Sequence, residues 1–415
     1  MDLFDLFTIL IVISASCAYL NTRFLKMPEA IGIMIIAVIF SILIIAMNYI
    51  QPVWFDQVRA AVAQIDFYKV LFNFMLSFLL FAAAFHTDAS KLKVERRPII
   101  VFAFIGVVLC TMLVGTMLYL VADWLGFKLP YTVCLLFGGL ISPTDPIAVL
   151  GILARFDLPE QIKTNIVGES LFNDGMAVVV FATIYQLVGD GHSTLEPGPT
   201  FVFFLKEAGG GILLGAAIGY TMYRLLMKVN HYQTEVLLTI AGVMGGYLIA
   251  RWVHVSGPLA MVIAGLLVGN RARKEVMSPV TEDYLDKFWE LVDVILNALL
   301  FVLIGIELLI VHFEHSYWLM CLAAIVIVLA SRFLAIYIPY LLAGNWLGLD
   351  NKAPIMLTWG GLRGGISVAM ALSIDDSVVH KDIIVAITYA VVLFSVIGQG
   401  LTMERVIRRL YPEKE

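Results

Sequence analysis

The sequence LFGGLISPTDPIAVL occupies residues 136–150, in the middle of an apolar segment that extends over residues 130–154. Its two prolines, Pro143 and Pro146, remove two backbone donors and prevent an uninterrupted α-helix through this point. Non-helical backbone is tolerated at the depth of a membrane only where protein groups or water satisfy it. The stretch therefore predicts a broken helix in the interior of a membrane protein.

A second interruption is expected in the apolar segment 352–375, where GGLRGG at residues 360–365 has glycine at four of six positions. Close helix packing is the alternative explanation for these glycines. Transporters built from inverted repeats place broken helices at corresponding positions in their two halves. We therefore expect the two segments to cross near the membrane centre, where Asp145 would neutralise helix N-termini and Arg363 helix C-termini.

The composition agrees with a membrane environment. The chain has 415 residues, of which 61% are hydrophobic and 14% are charged, whereas soluble domains have about 25% charged residues. A soluble core of this length would not absorb so much apolar sequence. Nucleic acid is disfavoured as a partner, because basic residues cluster only in short loops.

The apolar segments predict an all-α polytopic membrane protein with about thirteen transmembrane helices, each of roughly 20 residues. The two broken segments would be spans 5 and 12 of an inverted-repeat arrangement. The expected spans are residues 4–21, 28–50, 67–87, 97–122, 130–154, 160–188, 201–227, 233–253, 256–270, 284–311, 316–343, 352–375 and 381–406.

Lysine and arginine in the loops indicate the orientation of these spans. One side would receive the basic clusters at residues 91–97, 155–163, 271–274 and 405–414. The other side would receive only Arg59, Lys128, Arg251 and Lys381. Because cytoplasmic loops carry the excess of positive charge, we expect a cytoplasmic C-terminus and an external N-terminus in the inner cell membrane.

Five ionisable residues lie deep within the expected spans, namely Asp145, Glu169, Asp174, Arg332 and Arg363. Such residues are energetically costly in a membrane and are usually functional. Because arginine stays protonated, both arginines need anionic partners, and one carboxylate is left over. That carboxylate needs a bound cation or a proton, which is the minimum for cation/proton exchange. Purely structural ion pairs are the alternative, but they leave the third acid unexplained.

The sixth span offers ligands for a small cation. Ser170 and Asp174 share one helix face, and Glu169 and Asn173 form the neighbouring pair. Sodium is a hard cation that prefers several oxygen ligands, by analogy with other hard cations. The Asp174 carboxylate, the Ser170 and Thr144 hydroxyls and a carbonyl from the span 5 break are the candidate ligands.

The remaining charged residues of the spans have other expected roles. Glu169 is better placed to hold an arginine, and Arg332 is the first candidate because its own span is otherwise apolar. Asp293 and Glu307 in span 10 are expected to line a water-filled funnel or an interface rather than to bind the transported ion.

Three motifs resemble those of the monovalent cation/proton antiporters of the sodium/proton exchanger superfamily, and particularly the NhaP-type branch. They are SPTDP at residues 142–146, GESLFNDG at 168–175 and GGLRG at 360–364. The resemblance covers nearly the whole chain. It implies that Asp174 is the exchange carboxylate, that Thr144 and Ser170 join it as sodium ligands, and that Glu169 pairs with Arg332.

The resemblance also implies a homodimer whose protomers each contain a dimerisation unit and a six-helix core that moves like an elevator. Residues 1–415 would form one transmembrane unit without a soluble domain. The core is expected around spans 3–6 and 10–13, and the dimerisation helices around spans 1–2 and 7–9.

The pair Asn173-Asp174 is informative, because the electrogenic branch of this family has two adjacent aspartates at the corresponding positions. Asn173 does not titrate, so the resemblance implies electroneutral exchange of one sodium or lithium ion for one proton. No cofactor and no enzymatic activity are expected, since no nucleophile–base pair or metal-ligand cluster is present in the sequence. A potassium/proton antiporter or a cation channel of the same fold is the alternative.

Overall fold

The computed structural model describes residues 3–145, 147–153, 156, 158–189, 197–311 and 315–412, and these residues are almost entirely helical. Pro146 of the proline break and the loop residues Arg155 and Lys414 lie outside the described residues. Within the described part, nine helices are long and apolar enough to cross a membrane. The prediction of an all-α polytopic membrane protein is confirmed, whereas the count of thirteen spans stays a prediction.

The first half of the chain contains the first broken span. Short π-helical turns at Leu71–Met75 and Val101–Gly106 each join two α-helices of this half without ending the span. The helices of this half are α1 Leu3–Leu20, α2 Glu29–Met47, α3 Pro52–Val62, α4 Phe67–Val70, α5 Leu76–His86, α6 Ala89–Val94, α7 Arg96–Ile100, α8 Val107–Trp124, α9 Tyr131–Ile141, α10 Ile147–Leu153 and α11 Glu160–Gly189.

The second half contains the other broken span. Further π-helical turns at Val268–Ala272 and Phe394–Gln399 continue α-helices of this half. The helices of this half are α12 Pro197–Leu226, α13 Tyr232–Val253, α14 Gly257–Leu267, α15 Arg273–Glu275, α16 Pro279–Glu307, α17 Trp318–Leu347, α18 Ala353–Gly360, α19 Gly365–Leu372, α20 Lys381–Leu393 and α21 Gly400–Leu410.

Two features differ from the expected span pattern. The helix α3 lies between the second and third expected spans and was not expected, because Asp56 and Arg59 interrupt its apolar sequence. The helix α16 begins at Pro279, before the expected start at residue 284. The hydroxyl of Ser278 caps it by accepting a hydrogen bond from the Thr281 amide at 3.2 Å, and such caps satisfy amides that a helix start leaves unpaired.

The two interrupted spans cross each other, as predicted. In the first, α9 ends at Ile141 and α10 begins at Ile147; in the second, α18 ends at Gly360 and α19 begins at Gly365. The Asp145 amide donates a 2.7 Å hydrogen bond to the Leu362 carbonyl, within an isolated antiparallel bridge. The crossing therefore satisfies backbone groups that the helix breaks leave open.

Glycines at the crossing allow two approaches that a larger side chain would prevent. A Cβ atom on Gly361 would lie 2.7 Å from Nε of Arg332, and one on Gly364 would lie 2.7 Å from Oδ2 of Asp145. The glycine-rich segment is therefore both unwound and closely packed, which combines the two explanations considered for it.

Close backbone packing also joins helices outside the crossing. A Cβ atom on Gly305 of α16 would lie 2.3 Å from Cβ of Ala37 in α2. One on Gly265 of α14 would lie 2.6 Å from the carbonyl oxygen of Phe81 in α5. The helices α2, α5, α14 and α16 thus form a tightly packed group beside the crossing.

We expect Gly138→Ala to destabilise the protein by about 1–3 kcal/mol, the usual cost of overpacking a core. The added Cβ would lie 2.3 Å from the Thr111 carbonyl oxygen, a backbone atom of α8 that cannot rotate away. Gly139→Ala is the matched control, because its nearest neighbour would be Cδ1 of Ile184 at 3.4 Å. Thermal unfolding of both variants in detergent tests this, and equal melting temperatures would contradict it.

Candidate functional site

The side chain of Arg363 lies at the carboxyl end of the first half-helix, α9. Its Nη1 atom donates hydrogen bonds to the carbonyl oxygens of Ser142 at 2.6 Å and Pro143 at 3.1 Å. Arg363 is only 2% exposed, so these bonds stabilise a deeply buried cation. Because a helix C-terminus carries partial negative charge, the guanidinium complements the end of α9.

The carboxylate of Asp145 lies at the amino end of the other half-helix. Gly364 is the residue immediately before α19, and a Cβ there would be 2.7 Å from Oδ2 of Asp145. A helix N-terminus carries partial positive charge, which favours a carboxylate at this position. The crossing thus places a cation at one helix end and an anion at the other.

Glu169 and Arg332 form a buried ion pair between α11 and α17. Nη1 of Arg332 lies 2.6 Å from Oε1 of Glu169, and Nη2 lies 2.7 Å from Oε2. Their side chains are 3% and 4% exposed, respectively. Arg332 also donates to the Leu357 carbonyl at 3.3 Å. The bidentate geometry gives the carboxylate of Glu169 a cationic partner within the protein.

Polar side chains of α11 hold the broken segment in place. The Ser170 hydroxyl donates a hydrogen bond to the carbonyl oxygen of Thr144. The amide nitrogen of Asn173 donates to the Thr144 hydroxyl at 3.2 Å and to Oε1 of Glu169 at 3.4 Å. Asn173 therefore bridges the buried ion pair to the proline break, while its own Oδ1 has no described partner.

Asp174 differs from Glu169, the other acid of α11 at this depth. Its Oδ1 atom is buried and accepts no hydrogen bond from the described residues. The residue is 8% exposed and lines a cavity of about 420 Å³. A buried carboxylate without a compensating partner is strongly disfavoured, so this position favours either a proton or a bound cation.

The cavity connects Asp174 with the protein surface at a mouth formed around the carboxyl end of α5 and the amino end of α11. Thr144 and Asp145 line it together with Asp174 at the crossing, whereas Ser170 and Asn173 are buried behind this surface. His86, Asp88 and other residues around the ends of α5 and α11 line the opposite part of the cavity.

An ion pair lies at this mouth, between Nζ of Lys91 and Oε2 of Glu160 at 2.8 Å. Lys91 belongs to α6, outside the spans, and its hydrogen bond to Glu160 holds its pKa above the usual value. The lysine therefore stays charged, and the glutamate compensates that charge at the entrance.

Some residues of the site were missed by sequence reasoning. Ser395 accepts a 2.8 Å hydrogen bond from the Arg363 amide and donates to Oε1 of Gln399 at 2.6 Å. Its i,i+4 spacing from Gln399 inside an apolar span was the signal that could have revealed this support. The thiol of Cys110 accepts from Nη2 of Arg363 at 3.8 Å, and nothing in its apolar sequence context indicated that contact.

Known proteins resemble the chain over almost its full length. The family described as "Sodium/hydrogen exchanger, transmembrane" matches residues 11–409. The Na(+)/H(+) antiporter NhaP of Pseudomonas aeruginosa is 43% identical, with 98% of this chain and 97% of that protein covered. The Na(+)/H(+) antiporter NhaH of Halobacillus dabanensis is 33% identical, with 99% and 98% covered.

The fold also matches a solved structure. The sodium proton antiporter MjNhaP1 from Methanocaldococcus jannaschii superposes with a TM-score of 0.76 at 19% identity, and 99% of each chain is covered. At such a low identity, the likeness to this structure shows only a shared fold. The family match and the two sequence relatives show that the chain is related to these proteins by descent. The chain therefore belongs to the transmembrane sodium/hydrogen exchanger family.

Proposed function

We propose that the protein exchanges sodium or lithium for protons and that Asp174 is the group for which they compete. The observation that carries this proposal is the contrast between the two deep acids of α11. Glu169 is neutralised by Arg332 at 2.6 Å, whereas Oδ1 of Asp174 is buried without a partner and the residue lines the cavity. Asp174 is thus free to exchange one cation for another.

In this mechanism Asp174 binds a proton or a sodium ion, but never both. The hydroxyls of Thr144 and Ser170 would complete the coordination, and Asn173 would hold Thr144 in position. Moving an ionised, unloaded carboxylate through a dry barrier is costly. That cost couples the two fluxes, because only the loaded states change sides.

The proposed exchange is electroneutral. Asn173 carries no charge, and the charge of Glu169 is balanced by Arg332. One titrating carboxylate then exchanges one sodium ion for one proton, so no net charge crosses the membrane in a cycle.

We expect sodium-driven proton movement that is indifferent to the membrane potential. The test is a proton-flux assay in sealed proteoliposomes containing a pH dye, with and without a potential clamped by valinomycin. Equal rates at both potentials are the expected result. A rate that follows the potential would contradict the one-for-one stoichiometry.

The same assay distinguishes the alternatives. Sodium, lithium and potassium are added in turn at constant ionic strength, with choline as the inert replacement. A response to potassium alone would change the substrate while retaining the site. No proton movement with any of the three cations would favour a channel.

We further propose an elevator motion of the crossing against a static unit in a homodimer. Close contacts join α16 to α2 at Gly305 and α14 to α5 at Gly265. They favour a division into moving and static helices that differs from the expected one. Spans 3 and 10, expected in the core, would stay with the static helices because moving them would break this packing. Cysteine cross-linking between α5 and α14 tests it: exchange should survive the cross-link.

The proposed orientation puts the C-terminus in the cytoplasm of the inner cell membrane and the N-terminus outside. The basic loops support it, and Lys91 and Lys163 lie at the mouth of the cavity. The state described would then be open to the cytoplasm. Labelling of single cysteines in intact cells by a membrane-impermeant reagent tests this: a cysteine near residue 56 should react, and one near residue 93 should not.

A further inference from the structure

One face of α16 contributes polar groups to the cavity that the proposed exchange does not use. Asp293, Asn297 and Leu300 all line the cavity, and their i, i+4 and i+7 spacing places them on one helical face. Asp174 lines the same cavity from α11. The cavity is therefore bordered by acidic side chains from two different helices.

Contacts at either end of this face show how deep Asp293 lies. Leu300 lies at the crossing, because a Cβ on Gly365 would be 2.4 Å from its Cδ1 atom. Asp286 lies near the mouth, 3.9 Å from Nδ1 of the cavity-lining His86. With a rise of 1.5 Å per residue, Asp293 is about 10 Å along the helix from each of these positions. It therefore occupies the middle of the path between the mouth and the crossing.

Two oxygen atoms on this face have no hydrogen-bond partner among the described residues. Oδ1 of Asp293 and Oδ1 of Asn297 are both buried and accept no hydrogen bond from the described residues. Asn297 is only 5% exposed, and its Nδ2 donates to the Asp293 carbonyl at 2.8 Å. That bond fixes the orientation of the amide, since a carbonyl oxygen only accepts. A buried carbonyl oxygen and a carboxylate oxygen are thus available to a ligand at adjacent turns.

The charges of the cavity select a cation for this position. Beyond the mouth, the charged residues described in its lining are the acids Asp145, Asp174 and Asp293. The lining lysines belong to the mouth, where Lys91 is paired with Glu160 at 2.8 Å. Acidic side chains in a narrow, low-dielectric space raise the local concentration of cations. Unpaired oxygen atoms are also the ligands that hard metal cations prefer.

We propose that Asp293 and Asn297 form an outer cation site, which holds a partly hydrated sodium or lithium ion before it reaches Asp174. The proposal rests on the function proposed above and extends it, because the acids of span 10 were expected to line a funnel or an interface rather than to bind the transported ion. The outer site increases the apparent affinity for the transported cation. It takes no part in the proton exchange, so it does not alter the maximal rate or the stoichiometry.

The first experiment measures the sodium dependence of proton flux in proteoliposomes. Asp293→Asn keeps the shape of the side chain and should raise the KM for sodium about tenfold, as expected for losing one charge-assisted contact. Its maximal rate should stay within about twofold of wild type, and Asn297→Leu should raise KM about threefold. Glu290→Gln is the matched control, because Glu290 is an exposed acid of α16 outside the cavity lining.

A wild-type KM in Asp293→Asn would overturn the outer site and leave Asp293 as a hydrated wall residue. Loss of exchange at saturating sodium would overturn it as well, because Asp293 would then belong to the obligatory exchange machinery. An equal increase of KM in Glu290→Gln would show that KM depends on the overall surface charge and not on a site at Asp293. That result would also contradict the proposal.

A binding measurement separates the outer site from the proposed exchange. A ligand that binds the folded state raises its stability, so the melting temperature of Asp174→Asn in detergent should still increase with sodium chloride relative to choline chloride. The double variant Asp174→Asn/Asp293→Asn should lose that increase. If sodium does not raise the melting temperature of Asp174→Asn, the outer site is overturned, even if the wild-type protein exchanges sodium for protons.

Discussion

Replacing Asp174 with asparagine is expected to reduce sodium-driven proton movement to the level of protein-free vesicles. The side chain keeps its size and polarity, so the change removes only the negative charge and the ability to carry a proton. Asn173 already occupies the preceding position of α11, and Glu169 is committed to Arg332 at 2.6 Å. No second carboxylate of α11 at this depth would then be available to replace the lost one.

The fold should survive this substitution. Asp174 is 8% exposed and its Oδ1 has no described partner, so removing its charge relieves an unfavourable burial. We therefore expect a melting temperature at or above that of the wild-type protein. If the variant is inactive but well folded, the loss of exchange is due to the missing carboxylate and not to misfolding.

The matched control is Asp376→Asn. Asp376 is an exposed acid whose side chain is 96% accessible and lies 2.7 Å from Nζ of Lys381. Its removal should leave proton flux unchanged in the same proteoliposome assay. Wild-type exchange by Asp174→Asn would refute the assignment of the exchange carboxylate, whatever the control does.

Replacing Glu169 with alanine is expected to destabilise the protein by about 3–5 kcal/mol, because it leaves Arg332 as a buried charge without its carboxylate. Both side chains are less than 5% exposed, at 3% and 4%. The same change also removes an oxygen that holds Asn173 at 3.4 Å. We therefore expect poor expression, a lowered melting temperature and little or no exchange.

Glu160→Ala is the control on the same helix. Its partner Lys91 lies 2.8 Å away, but the two side chains are 68% and 56% exposed. Exposed pairs contribute about 0–1 kcal/mol, so its melting temperature should change little. Thermal unfolding of purified proteins in detergent provides the comparison.

A compensating double variant shows whether the loss of stability in Glu169→Ala comes from the unpaired charge of Arg332. Glu169→Leu combined with Arg332→Met replaces both charged groups with apolar side chains of similar volume, and buried ion pairs replaced in this way often regain stability. The double variant should melt above Glu169→Ala. If Glu169→Ala itself expresses and melts like the wild-type protein, the pair does not stabilise the fold.

Much of the molecule is determined by the sequence alone. The apolar segments predict the helices, since a membrane requires every backbone group to be satisfied within a segment. Pro143 and the glycines at 361 and 364 locate the two breaks through local backbone chemistry. The i,i+4 spacing of Ser170 and Asp174 follows from the helical period. The family follows from three motifs in a fixed order.

Only the tertiary structure decides which helix faces oppose each other, because this depends on how separate helices rotate and pack. The sequence suggests Arg332 as the partner of Glu169, 163 positions away, but the bidentate geometry of the pair is seen only in the structure. The bridge from Asn173 to Thr144 and the support of Arg363 by Ser395 arise in the same way. Asp293 and Asp174 line one cavity because α16 and α11 border it from two sides, and no local spacing encodes that arrangement.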